Sequence, residues 1–263
     1  MIRSFSNSVP KYMCTLALAV LLGQTVFADE AGALSVSRIL TELAEGYSEV
    51  PDETTTVVVQ LEVLEPDETW HVSVLPGGKV KLQEGSHSSP AVTITMSKTT
   101  LERIYEGDIT AFTAAAKGSG ADTSPLELEF HAPAEGFTDP KGVMLGFLQH
   151  FFAATRPERI LLSEDHSRVV HGAHAVALYY GQGFRSAWYK VKQGQHLNEP
   201  GDTNPFPQAF VIISGRGYAK IGGAEVEVGP GESYYIPPDS DHVLWPAPGE
   251  SLELIWLAWG EGA

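Results

Sequence analysis

Residues 208–242 read QAFVIISGRGYAKIGGAEVEVGPGESYYIPPDSDH. Strand-like runs at Ala209–Ser214, Tyr218–Ile221, Glu225–Val228 and Ser233–Ile236 are separated by Gly and Pro turns. The same grammar continues outward into Ala173–Tyr180, Ser186–Lys192 and Leu252–Trp259. Helical periodicity is nearly absent from about Ile160 onward. Many short strands at this spacing predict an all-β antiparallel sandwich or barrel over residues 160–263.

The preceding residues follow different rules. Ser35 to Tyr47 carries Ile39, Leu40 and Leu43 on one side, a short amphipathic helix. Four alternating strands follow: Val57, Val59, Leu61 and Val63, then Trp70, Val72 and Val74, then Val80 and Leu82, then Val92, Ile94 and Met96. Lys98–Gly107 and Thr110–Lys117 read as helices, and Leu126, Leu128 and Phe130 as a fifth strand. A last helix, Lys141 to Ala153, has more apolar surface than one side of a sheet requires, so something else should cover it. The expected architecture is two domains: α+β with a five-stranded sheet over 35–155, then the all-β domain, with the boundary near Thr155 to Ser163.

With 43% apolar residues and 26 Gly in 263, the chain is ordinary globular material. Its net charge of −16 repels a phosphate backbone and disfavours nucleic acid as a partner. Arg3 and Lys11 precede an apolar run from Thr15 to Gly23, and Val26, Phe27 and Ala28 place small residues at a cleavage site. This predicts a signal peptide over 1–28 and a secreted or periplasmic protein. The run is shorter than the roughly 20 residues that span a bilayer, so no stable membrane insertion is expected after cleavage. Cys14, the only cysteine, would leave with the signal.

Residues 68–118, ETWHVSVLPGGKVKLQEGSHSSPAVTITMSKTTLERIYEGDITAFTAAAKG, resemble the sterol carrier protein type 2 family in the order of their elements. The resemblance covers about Ser35 to Thr155. It implies a sheet whose helices enclose an apolar tunnel for a sterol, hopanoid or fatty acyl chain. Trp70, Val72, Val92, Ile94, Leu101 and Ile104, with Phe112, Phe147, Leu148 and Phe151, are the positions for its lining. The same residues would equally build an ordinary core.

The second half is similar to the cupin superfamily, small antiparallel barrels around a metal or ligand pocket. GESYYIPPDSDH places Gly231, Pro237 and His242 at the spacing of that family's second motif, with Asp239 replacing a glycine. Gln208, followed by Gly215, stands where the first motif usually carries a glutamate. Asp202 and Asn204 fall where metal-binding cupins have histidines, and the nearest real histidine is His196. The resemblance implies a pocket at His196, Asp202, Asn204, Gln208, Phe210 and His242. A divalent transition metal there would need His242, His196 and Asp202, brought together by the Pro-rich insertion Glu199–Pro207. Trp188, Phe210, Tyr234 and Trp245 could wall that pocket or form barrel core. His166, His171 and His174 read as structural, because residues three apart on a strand point to opposite faces. No nucleophile elbow, phosphate loop or dinucleotide fingerprint occurs.

Two functions follow. In the first, an exported lipid- or sterol-binding protein holds an apolar ligand in the first domain, with the cupin as a second ligand site or a homodimerisation domain. In the second, a metal-dependent cupin oxygenase, isomerase or lyase acts on a hydrophobic substrate presented by the first domain. Binding without catalysis is favoured because the metal ligands are mostly replaced.

Overall fold

The computed structural model describes residues 34–47, 56–75, 79–117, 122–131, 140–153, 159–181 and 183–263. The expected signal peptide lies outside them. Among the described residues no helix is long and apolar enough to cross a membrane.

The alternating segments of the first half form the expected five-stranded sheet. Strands β1 (Val57–Leu64), β2 (Glu68–Val74), β3 (Val80–Glu84), β4 (Val92–Ser97) and β5 (Leu126–Phe130) lie in the order β3-β2-β1-β4-β5. β1 and β4 are parallel; the other pairs are antiparallel. In register, Leu61 stands between Trp70 and Ile94, so the apolar sets share one face. That face is covered by α1 (Val36–Gly46) and α2 (Lys98–Glu106), whose Ile39, Leu40, Leu43, Leu101 and Ile104 enter the same core. The helices start where Ser35 and Ser97 accept hydrogen bonds from the backbone N–H three residues on.

Helices α3 (Ala111–Ala115) and α4 (Pro140–His150) lie at the junction with the second half. α4 packs on α3 and on the second-half strand β7 (Ala173–Gly181). The surplus apolar surface of this helix therefore has a cover. Phe147 and Phe151 stack at 4.5 Å and both meet Tyr47 beyond α1.

The second half adds β6 (Arg168–Val170), β8 (Phe184–Val191), β9 (Gln208–Ser214), β10 (Gly217–Ile221), β11 (Ala224–Val228), β12 (Ser233–Ile236), β13 (His242–Pro246) and β14 (Leu252–Trp259). They form a six-stranded sheet, β12-β9-β14-β8-β7-β6, and a three-stranded sheet, β11-β10-β13. Among the described residues these are two sheets facing each other as a sandwich, and no edge strand of one pairs with an edge strand of the other to close the barrel that the cupin likeness implied. Phe210, Ile212 and Leu254 of the larger sheet share a core with Ala219 and Leu244 of the smaller. Close approach explains the motif glycine: a Cβ on Gly215 would lie 1.7 Å from the Ser251 carbonyl oxygen. Leu34–Ala263 form one compact unit.

Candidate ligand-binding site

The inner face of the six-stranded sheet can be read as three rows across its strands. One row is Gln208, Ala258, Arg185 and Tyr180; the next is Phe210, Trp256, Ala187 and Ala177; the third is Ile212, Leu254, Tyr189 and Ala175. On β7 and β8 the last two rows carry alanine at Ala175, Ala177 and Ala187. Short side chains there leave space that larger neighbours do not fill, and a cavity of about 350 Å³ opens above them. A β-bulge between Ala177 and Tyr179 turns Tyr180 inward in place of Tyr179, which is exposed.

The cover of this cavity comes from the first half. Phe112 of α3, Leu128 of β5 and Leu148 of α4 line it, with Lys117 after α3. Phe112 meets Tyr180 with ring centroids 5.4 Å apart. Thr113 of α3, fully buried, accepts a 3.0 Å hydrogen bond from the Ala177 N–H at the bulge. Arg168 on β6 donates to the backbone carbonyls of Ala116 and Thr123, fixing the segment after α3 to the second half. The cavity is thus composite, and the cover is tied down beside it.

Polar side chains make up much of the rest of its wall, Gln208, Arg185, Asn204 and His242 among them. Gln208 is fully buried, and its Oε1 accepts from the Trp256 indole at 2.8 Å and from Asn204 Nδ2 at 3.2 Å. An indole N–H can only donate, which fixes the amide orientation. Gln208 Nε2 is left buried with no partner. The Arg185 guanidinium carbon lies 5.7 Å from the centre of the Tyr180 ring and 5.8 Å from that of Phe206, and Arg185 Nε is likewise buried and unpartnered. Burial raises the pKa of Tyr180 and of Tyr189, keeping both phenols neutral.

Two histidines reach the cavity. His242, 1% exposed at the start of β13, donates from Nδ1 to the Ser240 carbonyl at 3.0 Å, which leaves Nε2 as an acceptor. Desolvation pushes its pKa down, and the hydrogen bond to Ser240 opposes that shift. His171 enters unexpectedly. It is not on a strand: His171 and Gly172 form the two-residue turn between β6 and β7, with φ of 53° and 81°. That hairpin tip is pressed against the loop at His196, whose carbonyl oxygen would lie 2.3 Å from a Cβ on Gly172. Asn198 then donates its N–H to the His171 carbonyl at 2.9 Å and its side-chain amide to the His242 carbonyl at 3.3 Å. His171 stands exposed at the rim, where surrounding protein desolvates the ring and lowers its pKa.

The expected pocket is only partly assembled. Asn204, Gln208, Phe210 and His242 line the cavity; His196 and Asp202 do not. His196 is exposed and its ring lies 6.2 Å from that of Trp245, while Asp202 accepts the Glu199 N–H on its own loop. Asp239 adopts φ 60°, the left-handed conformation that explains a glycine at this place in the family motif. Of the four aromatics considered, only Phe210 lines the cavity. Trp188 alternates to the other face of β8, Tyr234 bonds Glu232 and Glu227, and Trp245 stacks on Tyr218.

The residues present do not fit a divalent transition metal. The cavity wall offers two imidazoles and no carboxylate, and Gln208 presents a neutral amide where a charged oxygen pair is needed. Among the described residues no three His, Cys, Asp or Glu side chains are grouped to hold an ion, so the set His242, His196 and Asp202 is not formed.

Among the described residues, most positions expected to line an apolar tunnel belong to a packed cluster. Of its ten positions, Phe112 and Leu148 line the composite cavity. Val72, Val92, Ile94, Leu101, Ile104, Phe147 and Phe151 are buried against one another as core, with Trp70 packed at the edge of that cluster.

Residues 188–259 match the family described as Cupin domain. The C-terminal half therefore contains a cupin domain. Among solved structures, a Cupin 2 conserved barrel domain protein from Salinispora arenicola is 19% identical, with 40% of this chain and 89% of that chain covered and a TM-score of 0.36. The polyketide cyclase RemF from Streptomyces resistomycificus is 19% identical over 39% of this chain and 79% of its own, with a TM-score of 0.35. A predicted oxalate decarboxylase from Thermotoga maritima is 14% identical over 33% and 79%, with a TM-score of 0.31. Comparison with curated proteins gives no match.

Proposed function

We propose that the protein binds a compact, largely apolar organic molecule in the composite cavity, with the first half serving as the cover of a cupin pocket. The observation that carries this reading is the alanine floor at Ala175, Ala177 and Ala187 beneath Phe112 and Leu148, in a hollow of about 350 Å³ whose polar groups, Arg185, Gln208, Asn204 and His242 among them, lie outside that floor. Ligand sites of this kind span roughly 300 to 1,000 Å³, so the hollow suits a small guest better than a sterol or hopanoid. Binding without turnover is favoured over metal-dependent catalysis, because the donor set lacks a carboxylate. If the N-terminal pattern directs export, the guest is taken up outside the cytoplasm, where an apolar molecule needs shelter from water.

The neutral fluorophore N-phenyl-1-naphthylamine tests this. The intact protein should enhance its emission saturably. Ala187→Leu, which places a side chain in the hollow, should weaken binding by about tenfold or more while the variant still melts cooperatively. Absence of saturable binding to the unmodified protein, or equal binding by the variant, contradicts the reading.

A further inference from the structure

We infer that the ligand is a monocarboxylate with an apolar body, its carboxylate seated on Arg185 and its second polar contact supplied by Gln208; this rests on the cavity being the ligand site. Three independent features converge on that chemistry.

The first is an uncompensated cation. Arg185 lines the cavity, and among the described residues no carboxylate pairs with it. Its guanidinium instead lies near the Tyr180 and Phe206 rings, whose faces attract a cation without neutralising it. The second is the pair of orphaned donors. Arg185 Nε and Gln208 Nε2 are both buried N–H groups with no acceptor, each a standing cost that a ligand oxygen removes.

The third is placement. Arg185 and Gln208 both pair with Ala258, so they sit two strand spacings apart, roughly 10 Å between backbones, in one row at one end of the cavity. The apolar floor lies in the next rows. A ligand with its acid at that end lays its hydrocarbon over Ala187 and Ala177, against Phe112. The competing cation, Lys117, is already paired with Glu127. One free guanidinium and one amide suit a single negative charge in planar geometry, the geometry that a guanidinium fork matches with two parallel hydrogen bonds.

The test uses isothermal titration of the intact protein with 1-naphthaleneacetate and its neutral isostere 1-naphthaleneacetamide. The acid should bind about tenfold or more tightly than the amide, as expected for a hydrogen-bonded charge. Arg185→Met, verified as folded by its melting transition, should bring the two affinities together. Gln208→Glu keeps an oxygen for the Trp256 indole but adds a like charge, and should cut acid binding by about tenfold or more while sparing the amide. Equal affinities in the unmodified protein, or an acid preference that survives Arg185→Met, overturn the inference while binding of N-phenyl-1-naphthylamine leaves the cavity reading standing. If neither naphthalene compound nor that fluorophore binds, both fall.

Discussion

His242 is neutral inside the fold because charging it would strand a cation among Phe210, Leu197 and the buried Gln208 amide. The unfolded chain takes up this proton at its ordinary pKa near 6.5, above the lowered folded value, so between the two the unfolded state binds more protons. Stability contributed by the neutral ring is therefore present above about pH 6.5 and is lost as pH falls toward the folded value. His171 acts in the same direction. The melting temperature should drop between pH 7.5 and 5.5, and His242→Asn, which retains a donor for the Ser240 carbonyl, should flatten the slope; an unchanged slope would refute the assignment. Glu164, held down at about 2 by hydrogen bonds from Lys192 and Lys190, loses its contribution only below about pH 4.5, outside that window. His242 and Gln208 were legible in the sequence because their spacing to Pro237 and Gly215 belongs to a motif. His171 and Arg185 were not. A histidine three residues from another reads as one of two splayed on a strand, and Arg185 falls just outside the strand expected from Ser186; a turn and a cross-strand row, both set by pairing partners, turn them to the cavity.

Helix α3 is five residues long and would not persist alone, so its place depends on tertiary contacts. Thr110 caps it, and Thr113 spends its hydroxyl on two partners, accepting from Thr110 and from the Ala177 N–H. Thr113→Val keeps the shape and removes the acceptor, leaving a buried backbone donor unpaired. The variant should lose about 1–3 kcal/mol in denaturant unfolding, and it should also loosen the cover; a change within error would mean that water or a shifted backbone replaces the bond. Most elements could be foreseen from alternation, since β1 to β5 and β7 to β12 carry it plainly. β13 could not: His242-Val-Leu-Trp-Pro is a short run without alternation and ends in proline. The bulge in β7 was equally hidden, because an extra residue is defined only against the strand it pairs with.

At the scale of the molecule, two differently patterned halves share one binding space. Glu164, just before β6, pairs with Lys190 and Lys192 of the second half, and His166 reaches Asp108, which follows α2, at 3.2 Å. The first two pairs lie within the second half, and the His166–Asp108 contact joins it to the first. The sequence pattern divides the chain into two styles, yet Leu34–Ala263 pack as one compact unit, and apolar residues that fill a core and those that line a cavity have the same composition. What distinguishes them here is the run of small residues, Ala175, Ala177 and Ala187, on strands that become neighbours only in the fold. A crystal structure of the intact protein grown with 1-naphthaleneacetate tests this account most directly. It predicts ligand density over Ala177 and Ala187 and under Phe112, with the carboxylate at Arg185. Ligand bound only elsewhere, or a hollow closed by inward movement of Phe112 and Leu148, would contradict it.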